Sequence, residues 1–135
     1  MALQYSVAVR NAQLDAFEST TGASAILRIL SGTVPATCAT AQTGTLLASL
    51  SLPSDWMAAA ASGSKALAGT WQDTSADATG TAGYFRILDS TGTTCHAQGT
   101  ITATGGGGDL TLDNTSIASG QTVTVTSFTL TAGNA

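Results

Sequence analysis

His96 is the only histidine in the chain, and it directly follows Cys95. A cysteine or serine nucleophile needs a base within hydrogen-bond reach to activate it, so this pair is the first place to look for chemistry. Neighbouring residues of a strand send their side chains to opposite faces, and both residues lie in an alternating stretch. Cys95, Ala97, Gly99, Ile101 and Ala103 line one face; His96, Gln98, Thr100 and Thr102 line the other. The pattern predicts an exposed His96 and no Cys–His pair.

Six carboxylates, Asp55, Asp73, Asp77, Asp89, Asp109 and Asp113, are spread through turn-rich segments. Glycoside hydrolysis needs two of them flanking a sugar bond. Aromatic residues for a sugar platform are scarce, at 5% of the chain. Asp109, Asp113 and Asn114 form the densest group of hard oxygen ligands and would suit Ca²⁺, but their spacing matches no EF-hand loop and reads as a solvated turn. Gly105 to Gly108 lacks the Lys-Ser/Thr and the opening helix of a phosphate cradle, and reads as a hairpin connection. No catalytic set emerges. The expectation is a non-enzyme without cofactor or metal.

Composition explains where such a chain belongs. Only 9% of its 135 residues are Asp, Glu, Lys or Arg, against about 25% in a typical soluble domain. Thr, Ser and Gly take those places. A hydroxyl-rich, charge-poor surface suits a subunit that packs against copies of itself or a larger scaffold. The net charge is −4, and the four basic residues, Arg10, Arg28, Lys65 and Arg86, are scattered. Phosphate-backbone binding runs on clustered Lys and Arg, so nucleic acid is not an expected partner. No run approaches about 18 consecutive apolar residues, so no membrane partner is expected either. Residues 1–6 lack the basic and apolar regions of a signal peptide, which points to synthesis in a cytoplasm. In a reducing compartment Cys38 and Cys95 are expected as two buried thiols rather than a bridge.

The elements follow from periodicity. Leu3, Val7, Leu14 and Phe17 fall on one side of a helical repeat, and Gly22 is placed for a positive-φ cap, which predicts a helix over 5–20. Beyond Gly22 the period becomes two. Ala25 to Leu30 is apolar on both faces apart from Arg28, so it is expected to be covered on both sides, one of them by the helix. Thr33 to Thr43 reads as a loop. Leu46 to Leu52 is a half-buried strand; Ser54 to Met57 reads as a loop that drops Trp56 into the core, with a helical turn capped by Ser54 as the alternative. Leu67, Gly69 and Trp71 share one strand face. Phe85 and Ile87 point one way, Tyr84 and Arg86 the other. Leu110 and Leu112 begin a further strand.

In the last segment Val123 and Val125 share one phase while Phe128 and Leu130 share the other, which predicts a bulge near Thr126–Ser127. About seven or eight short strands with turn signals between them give a mainly β fold: an antiparallel β-sandwich, jelly-roll-like, with one N-terminal helix. Length and long connections favour a jelly roll over an immunoglobulin-type sandwich. The chain reads as one domain overall, with a helical segment over 1–22 and the sandwich over 23–135.

Several passages carry a resemblance: Ala8-Val9-Arg10-Asn11-Ala12-Gln13-Leu14-Asp15, Leu52-Pro53-Ser54-Asp55-Trp56-Met57, Gly69-Thr70-Trp71-Gln72-Asp73 with Gly83-Tyr84-Phe85-Arg86-Ile87, and Leu112-Asp113-Asn114 through Gly120-Gln121-Thr122-Val123. With the helix-then-β layout, they make the chain similar to the jelly-roll cement, or decoration, proteins of tailed-bacteriophage capsids. The resemblance implies a structural virion protein, made in the host bacterial cytoplasm and placed on the capsid surface. It implies binding to an HK97-type major capsid protein shell, bridging of neighbouring capsomers, and a dimer or trimer of the chain. Tyr, Trp and Arg are favoured interface anchors, so Tyr5, Arg10, Trp56, Tyr84 and Arg86 are the expected contact residues, with completion of the core as the equal alternative for Trp56 and Tyr84. A tail or tail-fibre receptor- or carbohydrate-binding module is the alternative.

Overall fold

The computed structural model describes residues 3–133. They form a mainly β structure with one helix: α1 (Val7–Thr21), β1 (Ile26–Ser31), β2 (Leu46–Ser51), β3 (Ser64–Ala66), β4 (Trp71–Asp73), β5 (Gly80–Leu88), β6 (Cys95–Ala103), β7 (Leu110–Leu112), β8 (Ser116–Ile117), β9 (Val123–Val125) and β10 (Thr129–Thr131). The main sheet runs β2-β1-β5-β6-β7, with β8 paired to the start of β5, and two small ladders join β3 to β10 and β4 to β9.

Helix α1 begins where Ser6 Oγ accepts the Val9 N–H at 3.2 Å, satisfying one of the orphan donors of a helix start. It stops at Gly22, whose φ of 92° suits glycine and whose N–H donates to Glu18 O at 2.9 Å. The side chains that seat it are Arg10, Asn11, Leu14, Asp15, Phe17 and Glu18. Leu3 and Val7, expected on the buried stripe with Leu14 and Phe17, are instead exposed.

One face of the main sheet, with Leu27, Ile29, Phe85 and Ile87, shares a buried cluster with Trp56, Trp71, Val123, Val125 and Phe128. The two small ladders thus close over that face. A row of rings threads the cluster. Phe17 meets Trp56 at 5.5 Å, Trp56 meets Trp71 at 5.9 Å, Trp71 meets Phe128 at 5.6 Å and Phe128 meets Phe85 at 5.6 Å. Edge-on and tilted ring contacts of this kind add to plain area burial. They tie the helix to the sheet through Trp56, which sits in the core as its loop predicts.

Pairing departs from the expected pattern in four places. Six of the ladders among the described residues are antiparallel, but β6 and β7 run parallel, with Ile101 opposite Leu110. The Gly105–Gly108 run is therefore no hairpin. Positive φ at Gly105 and Gly107 lets the chain loop back within residues 104–109, where a parallel connection ordinarily takes a dozen or more. The Leu67–Trp71 stretch is not one strand: Leu67 makes an isolated bridge to Met57, Gly69 turns the chain with φ 70°, and β4 begins only at Trp71. At the C-terminal end the phase change after Val125 is real, but the device is a break with a change of partner. β9 pairs with β4, residues 126–128 belong to no ladder, and β10 pairs with β3. Val123, Val125 and Phe128 still reach the same core. The second face of β1 is covered by the 33–43 loop, not by the helix, as the hydrogen bonds below show.

Candidate functional site

The 33–43 segment has no regular structure, yet a row of side chains from the sheet straps it down. Gln98 Nε2 donates to Pro35 O at 2.7 Å, and Arg86 Nη2 donates to Thr40 O at 2.6 Å and Thr37 O at 3.3 Å. Tyr84 Oη donates to Thr43 O at 2.5 Å and accepts the Thr43 N–H at 3.0 Å. Arg28 Nη1 donates to Gln42 Oε1 at 3.0 Å.

A covalent tie completes the row. Cys38 and Cys95 form a disulfide, with their Cα atoms 5.3 Å apart, which corrects the expectation of two independent thiols. The cause is a register shift between Ile87 and Leu88: Ala97 pairs with Ile87, but Cys95 pairs with Leu88. His96 is the extra residue. Cys95 is thereby turned from the core face to the face of Arg86 and Gln98, under Cys38. Strict alternation had put it with Ala97.

Three of the five expected contact residues are internal. Trp56 and Tyr84 are 0% exposed and Arg86 is 5% exposed. Trp56 Nε1 donates to Gly22 O at 2.9 Å, so it caps the turn after the helix, while Tyr84 and Arg86 hold the strapped loop. Their residue types suggested interface anchors; in the chain on its own these side chains support the fold from within. Arg10 is half-buried, and its Nε donates to Ala132 O at 2.9 Å. Tyr5 is exposed, at 43%. Among the described residues the large hydrophobic side chains that stand exposed are Leu3, Tyr5, Val7 and Val9, all within one short N-terminal stretch.

Four of the six carboxylates, Asp73, Asp89, Asp109 and Asp113, accept hydrogen bonds from nearby groups. Asp73 accepts the N–H groups of Ser49 and Ser75 at 3.0 Å each. Asp109 accepts from Thr100 N and Oγ1, and Asp113 from Thr104 Oγ1. Asp89 takes the Thr93 N–H, the Thr91 hydroxyl and the Thr94 N–H, and these bonds hold its carboxyl below the ordinary range. Asp109 and Asp113 thus each serve a different part of the β6–β7 connection. Among the described residues no group of three or more His, Cys, Asp or Glu is placed to hold a metal ion, and no helix is long and apolar enough to cross a membrane. Cys95, being bonded to Cys38, offers no thiolate to His96.

The one buried ammonium is that of Lys65, bound to Asp15 at 2.6 Å and Glu18 at 2.9 Å. Burial pushes Lys65 down, but its bonds to the two carboxylates outweigh that and hold it above its ordinary value. The same contact, with the Ala60 N–H, holds Asp15 low. These are structural ties between β3 and α1.

No family model, curated protein or solved structure matches the chain.

Proposed function

We propose that this chain is a structural virion protein of the capsid cement, or decoration, type. In this reading it binds the outside of an HK97-type shell and bridges neighbouring capsomers, working in several copies and without chemistry of its own. A jelly-roll arrangement of its β layers belongs to the same proposal.

The observation that carries it is the placement of Leu3, Tyr5, Val7 and Val9. Four large apolar side chains at alternate positions stand exposed, and among the described residues the other large hydrophobics are buried or half-buried. Covering a side chain of this kind is worth roughly 1.5–3 kcal/mol at full burial, and association costs consume much of the total. A shell compensates by number: each further attachment on one particle is effectively intramolecular, so modest contacts suffice. A charge-poor contact also avoids the desolvation penalty of buried ions.

The Cys38–Cys95 disulfide supports the same reading. Such bonds persist in oxidising surroundings, which a released particle meets. Packaged DNA pushes capsomers apart, and a clip across their joints gains from a subunit whose loops do not yield. Cosedimentation with empty HK97-type shells tests the proposal.

A further inference from the structure

Arg28 and Arg86 lie directly opposite each other across the β1–β5 ladder. Like charges in that position repel, and arginine cannot shed its charge. An acidic partner shared by the two would offset that repulsion. Here, among the described residues, the ion pairs within 4.0 Å are those of Lys65 with Asp15 and Glu18, and neither arginine has one. Asp89, in the adjacent turn, is taken up by Thr91, Thr93 and Thr94.

Their hydrogen bonds fall short as well. Arg86 is 5% exposed and uses Nη2 on Thr37 O and Thr40 O. Arg28 uses Nη1 on Gln42 and Nη2 on Gly92 O at 3.3 Å. The Nε atoms of both are buried without a partner. A buried donor left unmade costs about 1–3 kcal/mol, and more on a charged group. Arg28 and Arg86 are both among the residues lining a cavity of about 270 Å³ between the sheet, the strapped loop from Cys38 to Gln42, and Gly92–Thr93. At roughly 30 Å³ per water, that is ample for one small ion.

From this we infer that the cavity is a binding site for one small oxyanion, of phosphate or carboxylate chemistry, held between Arg28 and Arg86. The planar guanidinium fork matches the oxygen pairs of both anions, and an anion there cancels the cross-strand repulsion. The Cys38–Cys95 bond keeps the loop closed over it. The site is independent of the capsid proposal and lies apart from the exposed N-terminal stretch.

The test is a titration of the oxidised full-length protein, followed through the arginine Nε–Hε resonances. The probes are inorganic phosphate and sodium acetate, with sodium chloride at matched ionic strength as control. Saturable shifts of the Arg28 and Arg86 signals with either probe, absent with chloride and absent at Arg10, are expected. Arg28, less deeply buried than Arg86, is the variant of choice: Arg28→Gln is expected to weaken the response at Arg86 at least ten-fold while the chain stays folded. No saturable shift in the wild-type protein overturns the inference, as does a shift of equal size at Arg10. An unchanged titration in a folded Arg28→Gln protein overturns the two-arginine site.

Discussion

Lys65 Nζ stands 2.6 Å from Asp15 Oδ1, and this bond, with Glu18 Oε1 at 2.9 Å, fastens strand β3 to helix α1. The lysine side chain is 1% exposed and that of Asp15 is 50% exposed. Both groups carry shifts that link folding to pH. Lys65 is raised in the folded state, so its contribution is present below the unfolded lysine value of about 10.4 and is lost as pH rises through the higher folded value. Asp15 is lowered, so its contribution is present above about 3.9 and is lost as pH falls through the lower folded value. Urea denaturation across pH is expected to show a stability plateau that declines at both ends. Lys65→Met is expected to make both declines shallower, leaving the acid share of Asp89. A Lys65→Met profile parallel to wild type at both ends would contradict this role.

The ring row makes Trp56 a single joint between helix and sheet, since it touches Phe17 on one side and Trp71 on the other. It is 0% exposed, so truncating it removes a fully buried ring from that joint. Trp56→Ala is expected to cost about 3–5 kcal/mol, in the range of large aromatic truncations. Equilibrium denaturation followed by the fluorescence of Trp71 reads it, and a loss under 1 kcal/mol would mean the cluster repacks freely.

The Cys38–Cys95 bond closes a sequence separation of 57 residues. Constraining a loop of that length in the unfolded chain is worth about 2–4 kcal/mol. Reduction, or the Cys38→Ser/Cys95→Ser double substitution, is expected to lower stability by that amount. Amide exchange should accelerate first over residues 37–43, the part of the chain the bond straps. Uniform acceleration across the sheet would argue that the loop is held by the arginines and Tyr84 alone.

Gly83 passes so close to Gly32 that an added Cβ would sit 2.0 Å from the Gly32 carbonyl oxygen. Backbone cannot give way as a side chain can. Gly83→Ala is expected to destabilise by at least about 1–3 kcal/mol, whereas Gly133→Ala, with nothing within 4 Å, should stay within about 0.5 kcal/mol. Thermal melts of the two variants side by side make the comparison.

The elements legible in the sequence were those whose own periodicity decides them. The helix ending at Gly22, the strand after Ala25, the buried Trp56 and the opposed faces of Phe85/Ile87 and Tyr84/Arg86 all follow from local spacing. What escaped was set by partners distant in the chain. One extra residue at His96 turns Cys95 through the sheet, and nothing in an alternating stretch marks where its partner strand slips. The parallel seating of β7 on β6 and the change of partner after Val125 are choices among strands, invisible to any window along the chain. Burial of Arg86 was hidden for the same reason. The 33–43 loop, which carries no periodicity of its own, supplies the carbonyls that take it in.

The central claim is that exposed apolar residues at the start of the chain dock it on a shell. Helix α1 is tied into the fold from Arg10 onward, so removing the segment would confuse docking with folding. Val7 and Val9 offer a cleaner route: both are exposed and lie in the first helical turn, where a carboxylate is favoured by the helix dipole. The decisive measurement is cosedimentation of wild type and the Val7→Asp/Val9→Asp protein with empty HK97-type shells, at matched melting temperatures. Saturable pelleting of wild type with the shells, and a variant left in the supernatant, is the predicted result. Wild type that stays in the supernatant, or a variant that pellets equally well, contradicts it.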